Sequence, residues 1–399
     1  MTTLYTGGWI FDGTRLLDDH AILVEGERIT RLAPRAEFDG HAGEQVDTRG
    51  CTLLPGLIDC HVHLCYAGEA DPGTVVERLR PGEIAIRALQ HAQASLAGGI
   101  TGLRDCGGKD YLEFAARDAC NSGRFLGPTI RAAGRMICMT GGHGNRIARV
   151  ADGTDEVTKA VREQIHAGCD FVKLMATGGV LTPGVNPEDA HYSEAELRAG
   201  VHEAHRFQRH TASHAQGTAG IINAVQAGID SIEHGIFMDE RCLAAMLERQ
   251  VFLVPTCAAL MNILAHAERG IPDYIVDKTR RVAEHHRRSV RMFFEAGGRI
   301  AMGTDAGTPF NRHGDNALEL AYMVDYGLTP VGALTAATVH AADLLGLHDR
   351  GRIAMGAVAD LLLVQGNPVD DITAAAHRDN HRRVVKNGIT VPGIPASQE

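Results

Sequence analysis

From residue 53 onward the chain passes eight times from a short apolar run into a longer stretch rich in Ala, Leu, Glu and Arg. The runs are 53–63, 99–106, 129–137, 170–177, 210–215, 230–234, 251–256 and 299–305, and helical patterns such as 82–96, 193–207, 239–249 and 277–296 separate them. Several runs are apolar throughout, as parallel strands buried on both faces require. Eight strand–helix alternations predict an α/β protein of one particular kind, a (β/α)8 TIM barrel. Two more helical stretches, 316–325 and 330–345, complete that region.

The two ends of the chain have another texture. Trp9-Ile10-Phe11 runs into an Asp12-Gly13 turn, and 21–32 reads as a hairpin with Glu25-Gly26 at its bend. Short apolar segments and turns return at 351–364 and 384–391. The expectation is a small composite β-sandwich domain of residues 1–55 with 350–399, set against a barrel at 56–349.

The net charge of −10 argues against a nucleic-acid partner or an anionic membrane surface. No window approaches the ~18 consecutive apolar residues of a membrane span, and the N-terminus lacks the basic and apolar segments of a signal peptide. Nine cysteines in irregular spacing, none in a Cys-x-x-Cys pair, do not form a disulfide framework or a thiolate metal motif. These features predict a reduced, cytoplasmic protein. The charged runs 284–288 and 377–383 read as solvated faces.

In a barrel of this type the site is built at the carboxyl ends of the strands. His61 and His63 end the first run, and alternation along a strand points i and i+2 to the same side, so the pair can chelate a cation. Lys173 follows on the fourth, His214 on the fifth, His234 on the sixth and Asp305 on the eighth. Lys173 interrupts an apolar strand; either it snorkels to the surface, or a neutral amine adds CO2 to become a carbamate, a carboxylate able to bridge two cations. Asp305 precedes Ala306-Gly307 and suits a turn as well as a ligand. Four imidazoles with two carboxylate-type groups match a binuclear nitrogen and oxygen site, with zinc the leading ion. Asp59 shares a face with His61 one layer deeper and reads as support rather than ligand. His340 reads as a packing residue.

The order His-x-His, Lys, His, His, Asp, with Pro55-Gly56-Leu57-Ile58-Asp59 before it and Ala359-Asp360-Leu361-Leu362 after it, resembles the amidohydrolase superfamily in its binuclear, carboxylated-lysine form. The resemblance implies one metal on His61, His63 and Asp305 and a second on His214 and His234. A CO2-derived carbamate on Lys173 and a hydroxide would bridge the two. Within the superfamily the chain is similar to the Xaa-Pro dipeptidase and imidazolonepropionase-related group, which includes carboxypeptidases and ochratoxin-type amidases. Thr140-Gly141-Gly142-His143-Gly144 resembles the loop these enzymes use at the scissile bond. That loop makes His143 a catalytic candidate beside Asp305, and Asn145 and Arg146 candidates for an anionic end of the substrate. His191 and Tyr192 are further pocket candidates. Gln216 stands where several of the dipeptidases carry Tyr.

The expected function is metal-dependent hydrolysis of an amide bond in a small peptide-like or N-acyl amino acid substrate, by a homo-oligomer that needs two divalent metal ions, Zn2+ foremost. The rivals are a mononuclear deaminase or imidazolone-ring hydrolase, and a non-catalytic scaffold on the same fold.

Overall fold

The computed structural model describes residues 2–392, so Met1 and residues 393–399 of the expected terminal segment lie outside the described residues. The fold is α/β, with parallel strands in the middle of the chain and mixed, mostly antiparallel sheets at its ends.

Ile100–Asp105 pairs in parallel with Leu57–Val62 on one side and Thr129–Ala132 on the other. A second parallel series runs Arg149–Val150, Ile137–Cys138, Phe171–Met175, His210–Ala215, Ser231–His234 and Phe252–Val254. Asp170 N–H donates to Ala132 O between the two sheets. On the far side, 300–306 forms no ladder. It touches Phe252–Val254 through a Leu253–Ile300 bridge and Leu57–Val62 through a Val62–Ala306 bridge. Cys60 N–H to Met302 O and Asp305 N–H to His61 O add to that seam. The eighth expected strand is therefore a bridged segment. One of its amides, Met302 N–H, bonds Ala336 O of the following helix instead of a strand.

The first apolar run divides at Gly56. Cys51–Pro55 pairs antiparallel with Leu361–Gln365, whereas Leu57–Val62 joins the parallel strands. The joint packs so tightly that a Cβ at Gly56 would lie 2.3 Å from Thr101 Cγ2, which only glycine avoids. Strands from both ends make one six-stranded sheet in the order Ile389–Thr390, His381–Lys386, Leu361–Gln365, Cys51–Pro55, Trp9–Phe11, Leu16–Leu17. A four-stranded sheet from Thr2–Thr6, His20–Glu25, Arg28–Pro34 and Glu44–Asp47 shares an apolar cluster with it, including Tyr5, Ile22, Ile29, Leu53, Leu361 and Val385. In the hairpin, Glu25 pairs with Arg28, so the bend is Gly26-Glu27 rather than Glu25-Gly26, with Gly26 supplying φ +59°.

Two charged runs depart from the expectation of solvated faces. The helix Asp273–Glu295 buries Ile275, Val276, Thr279, Val282, His286, Ser289, Val290 and Phe293, a spacing of three and four that puts His286 inside. His381, in the other run, is buried with Nε2 on Ala375 O. The stretch 330–345 is two helices, Pro330–Ala336 and Val339–Leu344, parted at Thr338. All nine cysteines are unpaired and buried.

Candidate metal centre

Leu57–Val62 carries His61 inward, and His63 follows it where the strand ends. Each ring is locked from behind. His61 Nδ1 lies 2.7 Å from Glu233 Oε2, and His63 Nδ1 lies 2.8 Å from Gly107 O, which leaves both Nε2 atoms facing forward. His234 Nδ1 meets Thr256 Oγ1 at 2.7 Å, again leaving Nε2 free, and His214 uses Nε2 on Gly178 O at 2.8 Å, leaving Nδ1. Partners of this sort fix a tautomer and present the other nitrogen to a cation. The rings form a continuous series, with centroids 5.4 Å apart for His63–His61, 5.2 Å for His61–His234 and 4.5 Å for both His234–His214 and His214–His143.

His234 and Asp305 reach this cluster through left-handed backbone, φ 73° and 60°. Thr256, the partner of His234, has φ 56°. Non-glycine residues adopt that region at a cost of order 1–3 kcal/mol, and such residues concentrate at functional sites. Here the turn re-aims a side chain at the point where its strand stops.

Asp305 Oδ1 lies 3.2 Å from His63 Nε2 and 3.6 Å from His61 Nε2, and these three side chains can share one ion. The oxygen is buried and has no hydrogen bond of acceptable geometry. A carboxylate oxygen without a donor, facing two bare imidazole nitrogens, fits a divalent cation. Lys173 is fully buried, with Nζ 3.5 Å from His61 Nε2.

Charge states agree with that fit. Burial, then the neighbouring Lys173 ammonium, hold His61 well below the usual imidazole range, and burial with His143 beside it does the same to His214. Burial lowers His234 to about 3 and His143 to about 3. These rings are neutral at pH 7, the state that binds a cation. Burial also works against charge on His63, but its contact with Asp305 outweighs it and the net shift is upward. Asp305 is held below the carboxylate range because His61 and His63 outweigh its own burial.

Support extends further back. Glu233 Oε1 accepts from Arg104 Nη2 at 2.7 Å and from Ser231 Oγ at 2.6 Å, all of them buried. Asp59 accepts from His61 N–H, Thr304 N–H, Thr304 Oγ1 and Asn316 Nδ2, and its burial raises it to about 6. His340 Nδ1 donates to Ile300 O and the ring packs by Phe252, away from the site.

In front of the cluster is a cavity of about 340 Å³. His143, Asn145, Arg146 and Gln216 line it, as does His286, whose two nitrogens are unpartnered and whose burial lowers it to about 4. Arg146 is already engaged, by Thr74 Oγ1 at 2.9 Å, Glu77 at 3.7 Å and Asp71 at 4.0 Å. Asn145 Nδ2 donates to Gly142 O. His191 and Tyr192 do not line the cavity. Tyr192 is turned into the core with its hydroxyl on Ala151 O, and His191 is buried with its backbone N–H on Ala176 O. Met136, Met175, Val180, Leu260, Ile263 and Ile275 give the cavity an apolar wall.

The sequence reading missed Glu233, Arg104, Thr256 and His286. Glu233, a carboxylate beside His234 at the end of the sixth run, was the one visible signal. The partnership of Glu233 with Arg104 depends on two strands distant in sequence.

A profile of the amidohydrolase family matches residues 52–391. An ochratoxinase from Aspergillus niger is 30% identical over 405 residues, covering 93% of this chain and 82% of that protein. An imidazolonepropionase from Cereibacter sphaeroides is 27% identical over 386 residues, covering 88% and 90%. The crystal structure of a Xaa-Pro dipeptidase with methionine bound in its active site superposes with a TM-score of 0.90 at 32% identity, covering 98% of this chain and 100% of that one.

Proposed function

The chain belongs to the amidohydrolase family and is a hydrolase acting on C–N bonds, and from that premise we propose that it cleaves the amide bond of a small peptide-like or N-acyl amino acid substrate. The observation that carries this reading is the convergence of His61 Nε2, His63 Nε2 and the donorless Asp305 Oδ1 at the head of the cavity. His61, His63 and Asp305 would hold one divalent ion and His214 and His234 a second, with Lys173, as a carbamate, supplying a further carboxylate-type ligand. The nitrogen and oxygen donor set favours zinc. Such ions supply a hydroxide-like nucleophile near neutral pH and polarise a carbonyl.

The protein's own groups do the rest. Asp305, ionised at pH 7, takes the proton of the attacking water and passes it to the leaving nitrogen. Glu233, Gly107, Thr256 and Gly178 hold the four rings in the tautomers that face the cavity. His143, neutral and 4.5 Å from the His214 ring by centroids, stands over the cavity as a donor to the substrate carbonyl. The Met136, Leu260 and Ile263 wall receives an apolar substituent.

The same proposal covers the architecture. The parallel segments close as a (β/α)8 barrel at 56–349, supported by the Val62–Ala306 and Leu253–Ile300 bridges. Residues 1–55 with 350–399 make a composite β-sandwich domain, supported by the sheet that mixes both chain ends. We place the enzyme in the cytoplasm as a homo-oligomer acting on a small molecule rather than on nucleic acid or a membrane. Among the described residues no helix is long and apolar enough to cross a membrane.

Metal analysis of the purified protein, joined to a hydrolysis screen of N-acyl amino acids and dipeptides, tests the reading. Two ions per chain and cleavage of at least one such amide are expected. One ion with activity only on ring amidines or imidazolones would put the mononuclear reading in its place.

A further inference from the structure

We propose that the loop 178–185, clasped by Lys278, is a positioning device that sets the tautomer of His143, so that this ring offers an N–H and not a lone pair to the cavity; the inference rests on the reading of His143 as the donor to the substrate carbonyl. Three observations meet at this loop.

The first is the hydroxyl of Thr182. Its Oγ1 lies 2.8 Å from His143 Nδ1 and accepts the Gly144 N–H at 3.2 Å. A threonine hydroxyl has one proton to donate and two lone pairs. The amide occupies one lone pair, and among the described residues the hydroxyl proton has no acceptor other than Nδ1. Donation from Thr182 to Nδ1 satisfies the hydroxyl proton within the protein and places the ring proton on Nε2. That nitrogen has no hydrogen-bond partner among the described residues, and the ring lines the cavity. A ring in this state can polarise a carbonyl or stabilise developing negative charge on its oxygen. It cannot serve as the base, which leaves that task to Asp305.

The second observation is space. A Cβ built at Gly179 would fall 2.5 Å from His143 Nε2 and 2.7 Å from Cδ2 and Cε1. The missing side chain is the seat of the imidazole, and residue 179 is glycine for close approach. The third is the clasp. Lys278 Nζ, on the helix Asp273–Glu295, donates to Val185 O at 2.6 Å and Thr182 O at 2.7 Å, with Gly179 O at 3.5 Å. One ammonium spends its donors on three carbonyls of the loop. The two residues that seat and orient His143 are thus tied to a 23-residue helix and not left to the loop's own rigidity.

Thr182→Val keeps the shape and removes the hydroxyl, Thr182→Ser keeps the hydroxyl, and Gly179→Ala fills the seat. On an amide that the wild type cleaves, Thr182→Val should lower kcat and kcat/KM together by roughly 10²-fold, the size of one lost oxyanion donor, with KM and metal content unchanged. Thr182→Ser should recover all but a few-fold of the rate. Gly179→Ala should fall with Thr182→Val. Independently of turnover, 15N NMR of imidazole-labelled, metal-free protein, with the His143 signal identified by its loss in His143→Gln, should show a protonated Nε2 and an accepting Nδ1. Thr182→Val should mix the tautomers. A protonated Nδ1 in the wild type, full activity in Thr182→Val, or Thr182→Ser as impaired as Thr182→Val would each overturn the proposal. If the wild type cleaves no amide while the NMR result holds, the functional reading fails and the tautomer assignment stands.

Discussion

Glu233 joins His61 to Arg104: one carboxylate oxygen lies 2.7 Å from His61 Nδ1 and the other 2.7 Å from Arg104 Nη2, with none of the three exposed. The carboxylate holds the ring of a candidate ligand and neutralises a buried guanidinium that also bonds Cys60 O and Ser231 Oγ. Glu233→Gln keeps the shape but returns a neutral, ambiguous partner. Metal affinity should fall about 10–100-fold, the usual cost of removing such a partner, as measured by competition against a chelator. Unchanged affinity would show that His61 needs no orientation.

Lys173→Ala should lose most activity, because the proposed carbamate is built on Lys173, whose Nζ lies 3.5 Å from His61 Nε2. Short carboxylic acids added to the assay should restore part of it by standing in for the carbamate. A variant that keeps two metals and a near-normal rate would rule out the bridging role.

Asp305→Asn separates base from ligand. The amide oxygen can still give a lone pair to a cation but cannot serve as the base, and general acid–base groups contribute about 10²–10⁴-fold. Activity should fall by that factor while metal content falls little. Loss of both ions with the single change would make Asp305 chiefly a structural ligand.

Substrates with a free carboxylate should be cleaved faster than their methyl esters, by roughly tenfold for a charge-assisted contact at a half-exposed guanidinium. Arg146→Met should abolish that preference. Because Asp71 and Glu77 already flank Arg146, Asp71→Asn should increase it. Equal rates on acid and ester in the wild type would mean that the cavity has no anion site.

The pair His205–Asp230, 2.8 Å apart, ties the helix Glu194–Arg206 to the turn before Ser231–His234. The hydrogen bond that His205 donates to Asp230 raises His205 above its usual value; Asp230 is lowered, His205 and Thr211 outweighing its burial. The raised histidine adds stability fully below its unfolded value near 6.5 and loses it as pH climbs through the folded value. The lowered aspartate adds stability above about 3.8 and loses it as pH falls through its own folded value. His205→Gln should therefore destabilise more at pH 5.5 than at pH 8.5, by roughly 0.2–1 kcal/mol at this partly exposed pair. Urea denaturation at both pH values measures the difference, and a gap that is equal or reversed would contradict the assignment.

The alternation of apolar run and helix, and the polar residue that ends each run, were legible because periodicity and composition are local. His61, His63, His214, His234 and Asp305 announce themselves as polar residues closing strand candidates, and Lys173 as a charge inside an apolar one. The left-handed backbone at His234, Thr256 and Asp305 was not legible, since nothing in the neighbouring residue types demands it. Neither was His286, which a window of charged neighbours disguises; only the full length of the helix Asp273–Glu295 reveals its inward stripe. Tyr192 misled for the opposite reason. It follows a loop that approaches the cavity, but its hydroxyl finds Ala151 O in the core. Long-range clasps such as Lys278 on 179–185 depend on tertiary placement and leave no local trace.

The joint at Gly56 bears on how the molecule is made. Cys51–Pro55 leads straight into the strand that carries His61, yet its antiparallel neighbour is Leu361–Gln365, and that neighbour is itself flanked by His381–Lys386. On a ribosome the N-terminal segment emerges early and must wait, one edge unpaired, until nearly the last strand has been synthesised. Pairings so distant in sequence form slowly, and an exposed strand edge is open to wrong partners in the interval. Vectorial synthesis therefore completes the six-stranded sheet last, and a nascent chain stalled before residue 361 would display histidines on a strand whose anchor has not yet been translated.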